Sequence, residues 1–186
     1  IAHILAYHYF GSRSGLTGAN GAAGARHARR VAEENRFHGT VAQAAYPPLI
    51  EARPDGAGSY VLNGEKPFTS GASVGEQLLV WAQFAAGATW QGQDVSGRLV
   101  TFSTSIHAPG IRYIGGWDTL GQRRTASGTV VFENARVSEA DVIHQGYGLD
   151  PAAPAANLDV LLMYSGFANI FSGIAHGAFA AALDYV

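Results

Sequence analysis

The sequence predicts an α+β fold in which an antiparallel β-barrel or sandwich is flanked in the chain by helices. Three observations predict it. Residues 1–10 are almost all apolar or aromatic, residues 37–138 contain short β-rich runs separated by turn residues, and residues 158–186 form a long apolar run without turns. We therefore expect the order helix, β domain, helix.

The first helix, over residues 2–10, is expected to be buried and already under way at residue 1. The only methionine is Met163 and nothing resembles a signal peptide, so we expect the sequence to be a fragment. Residues 11–24 contain five glycines among small residues, which is typical of a flexible link. Residues 25–35 then predict a short exposed helix.

Turn signals divide the middle of the chain into six or seven predicted strands. Runs at 49–53 and 59–62 flank Pro54-Asp55-Gly56. Asn63-Gly64 predicts a type I′ hairpin turn between the 59–62 run and a further run at 66–70. Further strands are predicted at 77–84, 99–103, 111–114 and 129–137. This spacing is typical of a β-sandwich or a small barrel.

The composition excludes several function classes. The 186 residues are 47% hydrophobic and 14% charged, with 12 basic and 14 acidic side chains and a net charge of −2. Nucleic-acid binders cluster Lys and Arg on one face, so no nucleic-acid partner is expected. The chain has no cysteine, which excludes disulfides, zinc-thiolate sites and thiol catalysis and favours the reducing cytoplasm.

The last helix is long and apolar enough to raise the question of a membrane span. Polar or ionisable residues recur along this helix, namely Asp159, Asn169, His176 and Asp184. Placing an ionisable group in lipid is energetically costly. Small residues between them would let another helix approach closely. We therefore predict a buried bundle helix and no membrane partner.

Two motifs carry a resemblance to a known family. Residues 60–72 read Tyr-Val-Leu-Asn-Gly-Glu-Lys-Pro-Phe-Thr-Ser-Gly-Ala, and residues 117–128 read Trp-Asp-Thr-Leu-Gly-Gln-Arg-Arg-Thr-Ala-Ser-Gly. In order and spacing both resemble the signatures of the acyl-CoA dehydrogenase-fold flavoproteins. Phe68 in place of the usual Trp, the Ser-Gly-Ala after it and the Trp-Asp before Gly121 resemble the flavin monooxygenases of the dibenzothiophene monooxygenase type.

The resemblance implies a domain plan and a reaction. The plan is the end of an N-terminal helical domain at 1–36, a β-barrel domain at 37–150 and the first helix of a truncated C-terminal helical domain at 151–186. Reduced FMN, supplied by a flavin reductase, would react with oxygen, and one oxygen atom would pass to sulfur or nitrogen in a small hydrophobic substrate. A homo-oligomer, a tetramer by resemblance, is also expected.

A flavin ring is a flat, mostly apolar disc with a polar edge, so its pocket needs an aromatic wall and a few polar groups. Phe68 and Ser70 are two residues apart on a predicted strand, which would project them to the same side. By resemblance, Phe68 and Trp117 wall the ring and Ser70 bonds its edge. Thr69 and Thr40 are the other residues that the resemblance places at the cofactor.

His3 and Tyr7 lie four residues apart and therefore on one face of the first helix. A His beside a phenol offers a proton donor and a proton acceptor. The resemblance places such a pair at the reactive edge of the flavin. His3, Tyr7 and Ser70 are thus the predicted catalytic residues, and no metal ligand is predicted.

Each assignment has a structural alternative. Phe68 could pack in the barrel core while Ser70 caps a turn, Trp117 could cover an end of the sheet, and His3 could be an ordinary core residue. Arg123, Arg124 and Thr125 could anchor a phosphate, contact a neighbouring subunit or lie in a solvated turn.

Two other functions remain open. An FAD-dependent acyl-CoA dehydrogenase would use the same scaffold, although residues 37–44 lack the Thr-Glu-Pro and Gly-Ser-Asp motifs of that branch. The other is a non-catalytic β domain that binds a protein partner. In that case Phe68 and Ser70 would point into a closed core with no cleft beside them.

Overall fold

The computed structural model describes residues 2–13, 21–41, 50–56, 58–145 and 154–185. In these residues three α-helices, α1 (Ala2–Arg13), α2 (Gly21–Glu33) and α3 (Pro154–Tyr185), flank ten strands in the chain. The strands are β1 (His38–Val41), β2 (Ile50–Pro54), β3 (Ser59–Lys66), β4 (Gln77–Phe84), β5 (Thr89–Trp90), β6 (Gln93–Asp94), β7 (Leu99–Ser105), β8 (Ile111–Gly115), β9 (Thr129–Ser138) and β10 (Val142–Gln145). The α+β class and the order helix, β domain, helix are confirmed.

The main sheet is mixed and open, so the prediction of an antiparallel barrel is wrong. Its order is β10-β7-β4-β2-β3-β9-β8, with β10 and β8 ending the path in the described chain. β4 pairs with β7 along one edge, antiparallel. Along its other edge it pairs in parallel with two strands, first with β1 at residues 77–80 and then with β2 at residues 82–84. Turn spacing in a sequence locates strands but does not specify their direction, and this is why the parallel pairs were missed.

One of the two predicted β-turns is correct. β2 and β3 pair as a hairpin around Asp55 and Gly56, closed by a 2.9 Å bond from the Asp55 amide to the Ser59 carbonyl. The predicted turn at Asn63-Gly64 is wrong, because β3 continues through both residues. There the register with β9 shifts, Gly64 takes φ 131°, and the Asn63 side chain accepts a 2.9 Å bond from the Asn134 amide. The Asn-Gly pair marks a bulge.

Part of the predicted glycine-rich link is helical. α1 extends through Gly11, and α2 begins at Gly21 rather than near residue 25. Residues 14–20 lie outside the described part of the chain. A Cβ on Gly11 would lie 2.9 Å from Cγ of His38, so glycine here lets α1 lie directly on β1.

The core lies on one face of the sheet and contains three large aromatic side chains. The Tyr60 ring lies 5.1 Å from Phe84 and 5.8 Å from Phe102, measured between ring centroids. The Tyr60 hydroxyl donates a 2.6 Å bond to the Thr89 carbonyl. Burial, with Glu139 nearby, raises the pKa of Tyr60 to about 12, so the phenol is neutral and acts as a donor.

α3 crosses α1 where Phe10 meets Phe167, with ring centroids 6.0 Å apart, and a Cβ on Gly166 would lie 2.5 Å from the Phe10 ring. Beyond this crossing α3 is exposed, so the predicted burial is not provided by the described chain. Within the described residues, 161–185 are the one stretch long and apolar enough to cross a membrane, with a mean hydropathy of 1.3.

Candidate functional site

Strand pairing brings the two sequence motifs together. β3 ends at Lys66, which pairs with Val130 near the start of β9. The segment that leaves β3 therefore lies beside the segment that enters β9. The Thr69 amide donates to the Gly128 carbonyl over 3.0 Å, and the Gly71 amide donates to the Thr125 carbonyl over 2.9 Å. These two bonds join residues 69–71 to residues 125–128, and we call this joined region the base of the candidate site.

Phe68 projects from this base into solvent. Its side chain is 64% exposed, and its backbone is left-handed with φ 58°. The Trp117 ring meets it edge to face, with centroids 5.8 Å apart and an interplanar angle of 82°. The exposed Phe68 ring and the half-buried Trp117 ring form an apolar surface, the aromatic wall, that a flat aromatic ligand can pack against.

The prediction that Phe68 and Ser70 share one side of a strand is wrong. Phe68 follows the end of β3, and its positive φ turns the chain so that Ser70 is 4% exposed while Phe68 is 64% exposed. The alternative that Phe68 packs in the core is wrong as well. Ser70 is instead a buried hydroxyl two residues after the exposed Phe68 ring.

Three buried hydroxyl groups form a chain behind the wall. Ser70 Oγ lies 2.7 Å from Ser127 Oγ, which lies 2.7 Å from Thr125 Oγ1. Thr125 Oγ1 donates to the carbonyl oxygen of Gln122 over 2.9 Å. All three side chains are 4% exposed. The chain therefore ends on a fixed backbone acceptor.

The backbone of the site is strained. Of the six non-glycine residues with positive φ in the described chain, three belong to these two segments: Phe68, Gln122 and Ala126. A left-handed conformation costs an ordinary residue roughly 1–2 kcal/mol. Clustered strain of this kind is a feature of functional sites and is maintained by the surrounding packing.

The other predicted cofactor residues have mixed outcomes. Thr69 is buried, and its hydroxyl donates to the Lys66 carbonyl over 3.0 Å, which shapes the loop. Thr40 lies in β1, and His3 and Tyr7 lie in α1, but their side chains are outside the described part of the structure. Their roles stay predictions.

Arg123 and Arg124 lie at the surface, in a single turn of 3₁₀ helix that ends at Thr125 of the hydroxyl chain. Arg123 Nε donates to the Thr119 carbonyl over 2.8 Å. This geometry favours the solvated-turn interpretation. Sequence reasoning missed Ser127 and the Gln122 carbonyl. The only signal in the sequence was the spacing of two hydroxyl residues, Thr125 and Ser127, just before Gly128.

Three histidines join the helices to the sheet at a second place. His38 in β1 is fully buried, with the rings of His27 and His8 at 4.9 and 6.0 Å, and neither of its ring nitrogens has a hydrogen-bond partner in the described structure. Burial, followed by the two neighbouring histidines, lowers the pKa of His38 to about 3. His38 is therefore neutral at physiological pH.

The two other histidines also make fixed contacts. His27 Nε2 lies 3.0 Å from the Gly11 carbonyl, and His8 Nδ1 accepts a 3.2 Å bond from the His38 amide. Burial lowers the pKa of both rings. The described residues contain no group of three His, Asp or Glu arranged to hold a metal ion. We therefore interpret this cluster as structural.

A cleft of about 340 Å³ lies beside the histidine cluster, between α1, α2 and the start of β1. Its lining is His8, Ser12, Ala28, Val31, Ala32, Asn35, Arg36 and Phe37. Phe37 stacks on His8, with centroids 4.6 Å apart and planes 10° from parallel. None of the predicted cofactor residues lines this cleft.

No protein-family model matches the chain. It is 35% identical over 126 residues to "Probable FMNH2-dependent monooxygenase SfnC" of Pseudomonas putida, an alignment covering 66% of this chain and 29% of that protein. It is 30% identical over 164 residues to a dibenzothiophene monooxygenase of Mycolicibacterium goodii, with 84% of this chain and 38% of that protein covered.

Among solved structures, the methanesulfinate monooxygenase MsuC of Pseudomonas fluorescens superimposes with a TM-score of 0.77 at 26% identity. The superposition covers 98% of this chain and 44% of MsuC. The chain thus spans about a third of the length of the curated relatives named above.

Proposed function

Because the chain belongs to the acyl-CoA dehydrogenase-fold flavin monooxygenases, we propose that it carries part of a reduced-FMN site. The complete enzyme would transfer one oxygen atom to sulfur or nitrogen in a small hydrophobic substrate. The relatives' names support FMNH2 as the cofactor and sulfur compounds as substrates. The observation that carries the proposal is the edge-to-face contact of the exposed Phe68 ring with the half-buried Trp117 ring, two residues before the buried hydroxyl of Ser70.

The residues present fit a flavin. Phe68 and Trp117 offer the apolar surface that a flat ring system needs, and Ser70 Oγ offers a hydrogen-bonding atom for a polar edge. Bound reduced FMN would supply the electrons that activate oxygen. The two aromatic side chains would bind the ring and exclude water from one side of it. Ser70 would orient the ring by one directional bond.

Proton handling is assigned to α1. We propose that His3 and Tyr7 hold and move the proton needed during oxygen transfer, since residues four apart share a helix face. Thr40 on β1 would bring a hydroxyl group to the polar edge of the ring, and Thr69 would act by shaping the loop.

The wider assembly follows from the same family. We propose the end of an N-terminal helical domain at 1–36, a β domain at 37–150 and the start of a C-terminal helical domain at 151–186. A flavin reductase would supply reduced FMN, and the cytoplasm would be the site of action. The exposed apolar surface of α3 supports association with a further helical surface, as in a homo-oligomer.

Anaerobic titration of the chain with chemically reduced FMN tests the binding site. We expect weak, saturable binding that quenches tryptophan fluorescence. We expect no stoichiometric flavin after purification, because these residues form only one wall of the pocket. Phe68→Ala should weaken binding about tenfold. Phe179→Ala is the matched control, because Phe179 is 63% exposed on α3, far along the chain from the site.

The titration also separates the alternatives. Equal loss of binding in the Phe68 and Phe179 variants, or no binding at all, would contradict the proposed site. Preferential binding of FAD, with reduction by acyl-CoA in the complete gene product, would favour the dehydrogenase alternative. Oxygen-dependent turnover of dibenzothiophene by that gene product with reduced FMN would support the monooxygenase.

A further inference from the structure

The ring of His8 attaches α1 to the edge of β1. The His38 amide donates to His8 Nδ1 over 3.2 Å, and Phe37 stacks on the same ring with centroids 4.6 Å apart. Among the described strands β1 pairs only with β4, so the His8 ring takes a hydrogen bond that a second neighbouring strand would otherwise accept. We infer that His8 is a positioning residue, whose bond to the His38 amide sets where α1 lies against β1. This inference rests on the proposed function and adds a residue to it.

The donor and the acceptor of this bond are fixed by chemistry. An amide nitrogen only donates, so Nδ1 of His8 carries no proton and its lone pair accepts. The neutral ring then carries its proton on Nε2. A charged imidazolium has a proton on both nitrogens and cannot accept a hydrogen bond. The bond therefore exists only while His8 is neutral.

Two further contacts hold α1 one turn away. His27 Nε2 on α2 lies 3.0 Å from the Gly11 carbonyl, and because a carbonyl only accepts, the ring donates in either charge state. Gly11 also lies against the His38 ring, where a Cβ would come within 2.9 Å of Cγ. His8 and Gly11 are three residues apart, or about 4.5 Å along the helix axis. Contacts at both residues fix the axial position and the rotation of α1.

The two elements joined here carry the proposed proton pair and a proposed flavin contact. Tyr7 immediately precedes His8 in α1, and Thr40 follows His38 by two residues in β1. Proton transfer needs heavy atoms about 2.6–3.2 Å apart, and a misplacement of about 1 Å can cost on the order of a hundredfold in rate. A small shift of α1 against β1 should therefore slow the proton step while leaving the aromatic wall unchanged.

The groups around His8 favour its neutral form. The His38 ring on β1 lies 6.0 Å away, and the His27 ring on α2 lies 4.9 Å from His38, measured between centroids. Arg36 lines the cleft beside His8 and pairs with Glu34. Apart from Glu34, each of these groups is cationic when charged. Burial lowers the pKa of His8 from its ordinary 6.5, so the bond should be intact at neutral pH and lost in acid below pH 6.5.

NMR of the 186-residue chain tests the bond without flavin. We expect nitrogen chemical shifts that place the His8 proton on Nε2, and a protection factor of the His38 amide at least about tenfold above that in His8→Phe. Acid should abolish this protection in the parent chain but not in His8→Asn, whose side-chain oxygen accepts a hydrogen bond and does not titrate. A neutral His8 with its proton on Nδ1, or equal protection in His8→Phe, would overturn the inference.

Oxygen transfer by the complete gene product, with reduced FMN and dibenzothiophene, tests the positioning. His8→Phe keeps a ring that can stack on Phe37 but cannot accept a hydrogen bond. We expect kcat to fall about tenfold and hydrogen peroxide release to rise, with the KM for reduced FMN changed by less than about twofold. His8→Asn should restore most of kcat, because it restores the acceptor.

Val31→Ala is the matched control, because Val31 is 7% exposed and lines the same cleft as His8. It should lower the temperature of unfolding without changing kcat. Equal kcat in His8→Phe and Val31→Ala, or no recovery in His8→Asn, would overturn the inference and leave the proposed function intact. A parent enzyme that transfers no oxygen would overturn the proposed function, and the role of His8 with it.

Discussion

Trp117 and Thr125 donate hydrogen bonds to the same atom, the carbonyl oxygen of Gln122, from the indole Nε1 at 3.0 Å and from Oγ1 at 2.9 Å. The aromatic wall and the hydroxyl chain are therefore fixed to one backbone group. Because Trp117 touches Phe68 and the hydroxyl chain ends at Ser70, the contacts close into a ring: Phe68, Trp117, Gln122, Thr125, Ser127 and Ser70.

Trp117→Phe tests the shared carbonyl. The variant keeps an aromatic ring beside Phe68 but removes the indole donor, so we expect FMN affinity to fall several-fold. Folding stability should fall by less than about 1 kcal/mol, because a hydrogen bond at a partly exposed site contributes little net stability. Urea denaturation and FMN titration on the same sample measure both. Loss of stability without loss of affinity would contradict a role at the cofactor.

Substitutions of Phe68 separate strain from binding. Phe68→Ala removes the ring but keeps a side chain at φ 58°, whereas Phe68→Gly also relieves the left-handed strain. We expect both variants to lose FMN binding equally. The glycine variant should be more stable than the alanine variant by about 1 kcal/mol, measured by urea denaturation. Equal stability of the two would show that the site is not strained at this residue.

Acid should destabilise the protein through His38. Its pKa is about 3 in the folded state against an ordinary 6.5, so on acidification the unfolded chain binds the proton first. The stability is therefore complete above about pH 6.5 and is lost as the pH falls toward 3, at up to roughly 1.4 kcal/mol per pH unit for one such group.

His38→Leu should flatten that pH dependence, and denaturation at a series of pH values between 4 and 7 measures the slope. Exposed His107 provides the control, since His107→Gln should leave the slope unchanged. An equal slope in the His38 variant and the parent chain would contradict burial of a neutral imidazole at the junction of α1, α2 and β1.

Two helical glycines should respond oppositely to alanine. Gly173→Ala in α3 meets nothing within 4 Å, so it should stabilise the protein by about 0.5–1 kcal/mol through helix propensity. Gly11→Ala in α1 would place Cβ 2.9 Å from buried His38 and 3.3 Å from Leu79, and should cost about 1–3 kcal/mol. Thermal unfolding of both variants measures the contrast. Stabilisation by both would mean that α1 does not rest on β1.

The local pattern of the sequence was sufficient for much of the fold. Alternation and turn residues predicted β2, β3, β4, β7, β8 and β9, and the two apolar runs predicted α1 and α3. The resemblance drawn from the two motifs is confirmed by the relatives. Strand direction and the open sheet were not predictable, because they depend on contacts between residues far apart in the chain.

The candidate site shows the same limit. Phe68, Ser70 and Trp117 were predicted as neighbours, and the structure brings their segments together. The left-handed conformation of Phe68 has no local signal, since neither glycine nor asparagine stands there. The hydroxyl chain ends on the Gln122 carbonyl, and a main-chain acceptor cannot be predicted from the identity of the residue that carries it.

The pairing of β3 with β9 also has a consequence for folding kinetics. Lys66 and Val130 pair across 64 positions of the chain, so closing this loop is entropically slow. The aromatic wall and its hydroxyl chain exist only after that closure. A folding intermediate built from β2, β3 and their hairpin would therefore have no affinity for a flavin, and ligand present during refolding would slow unfolding without accelerating folding.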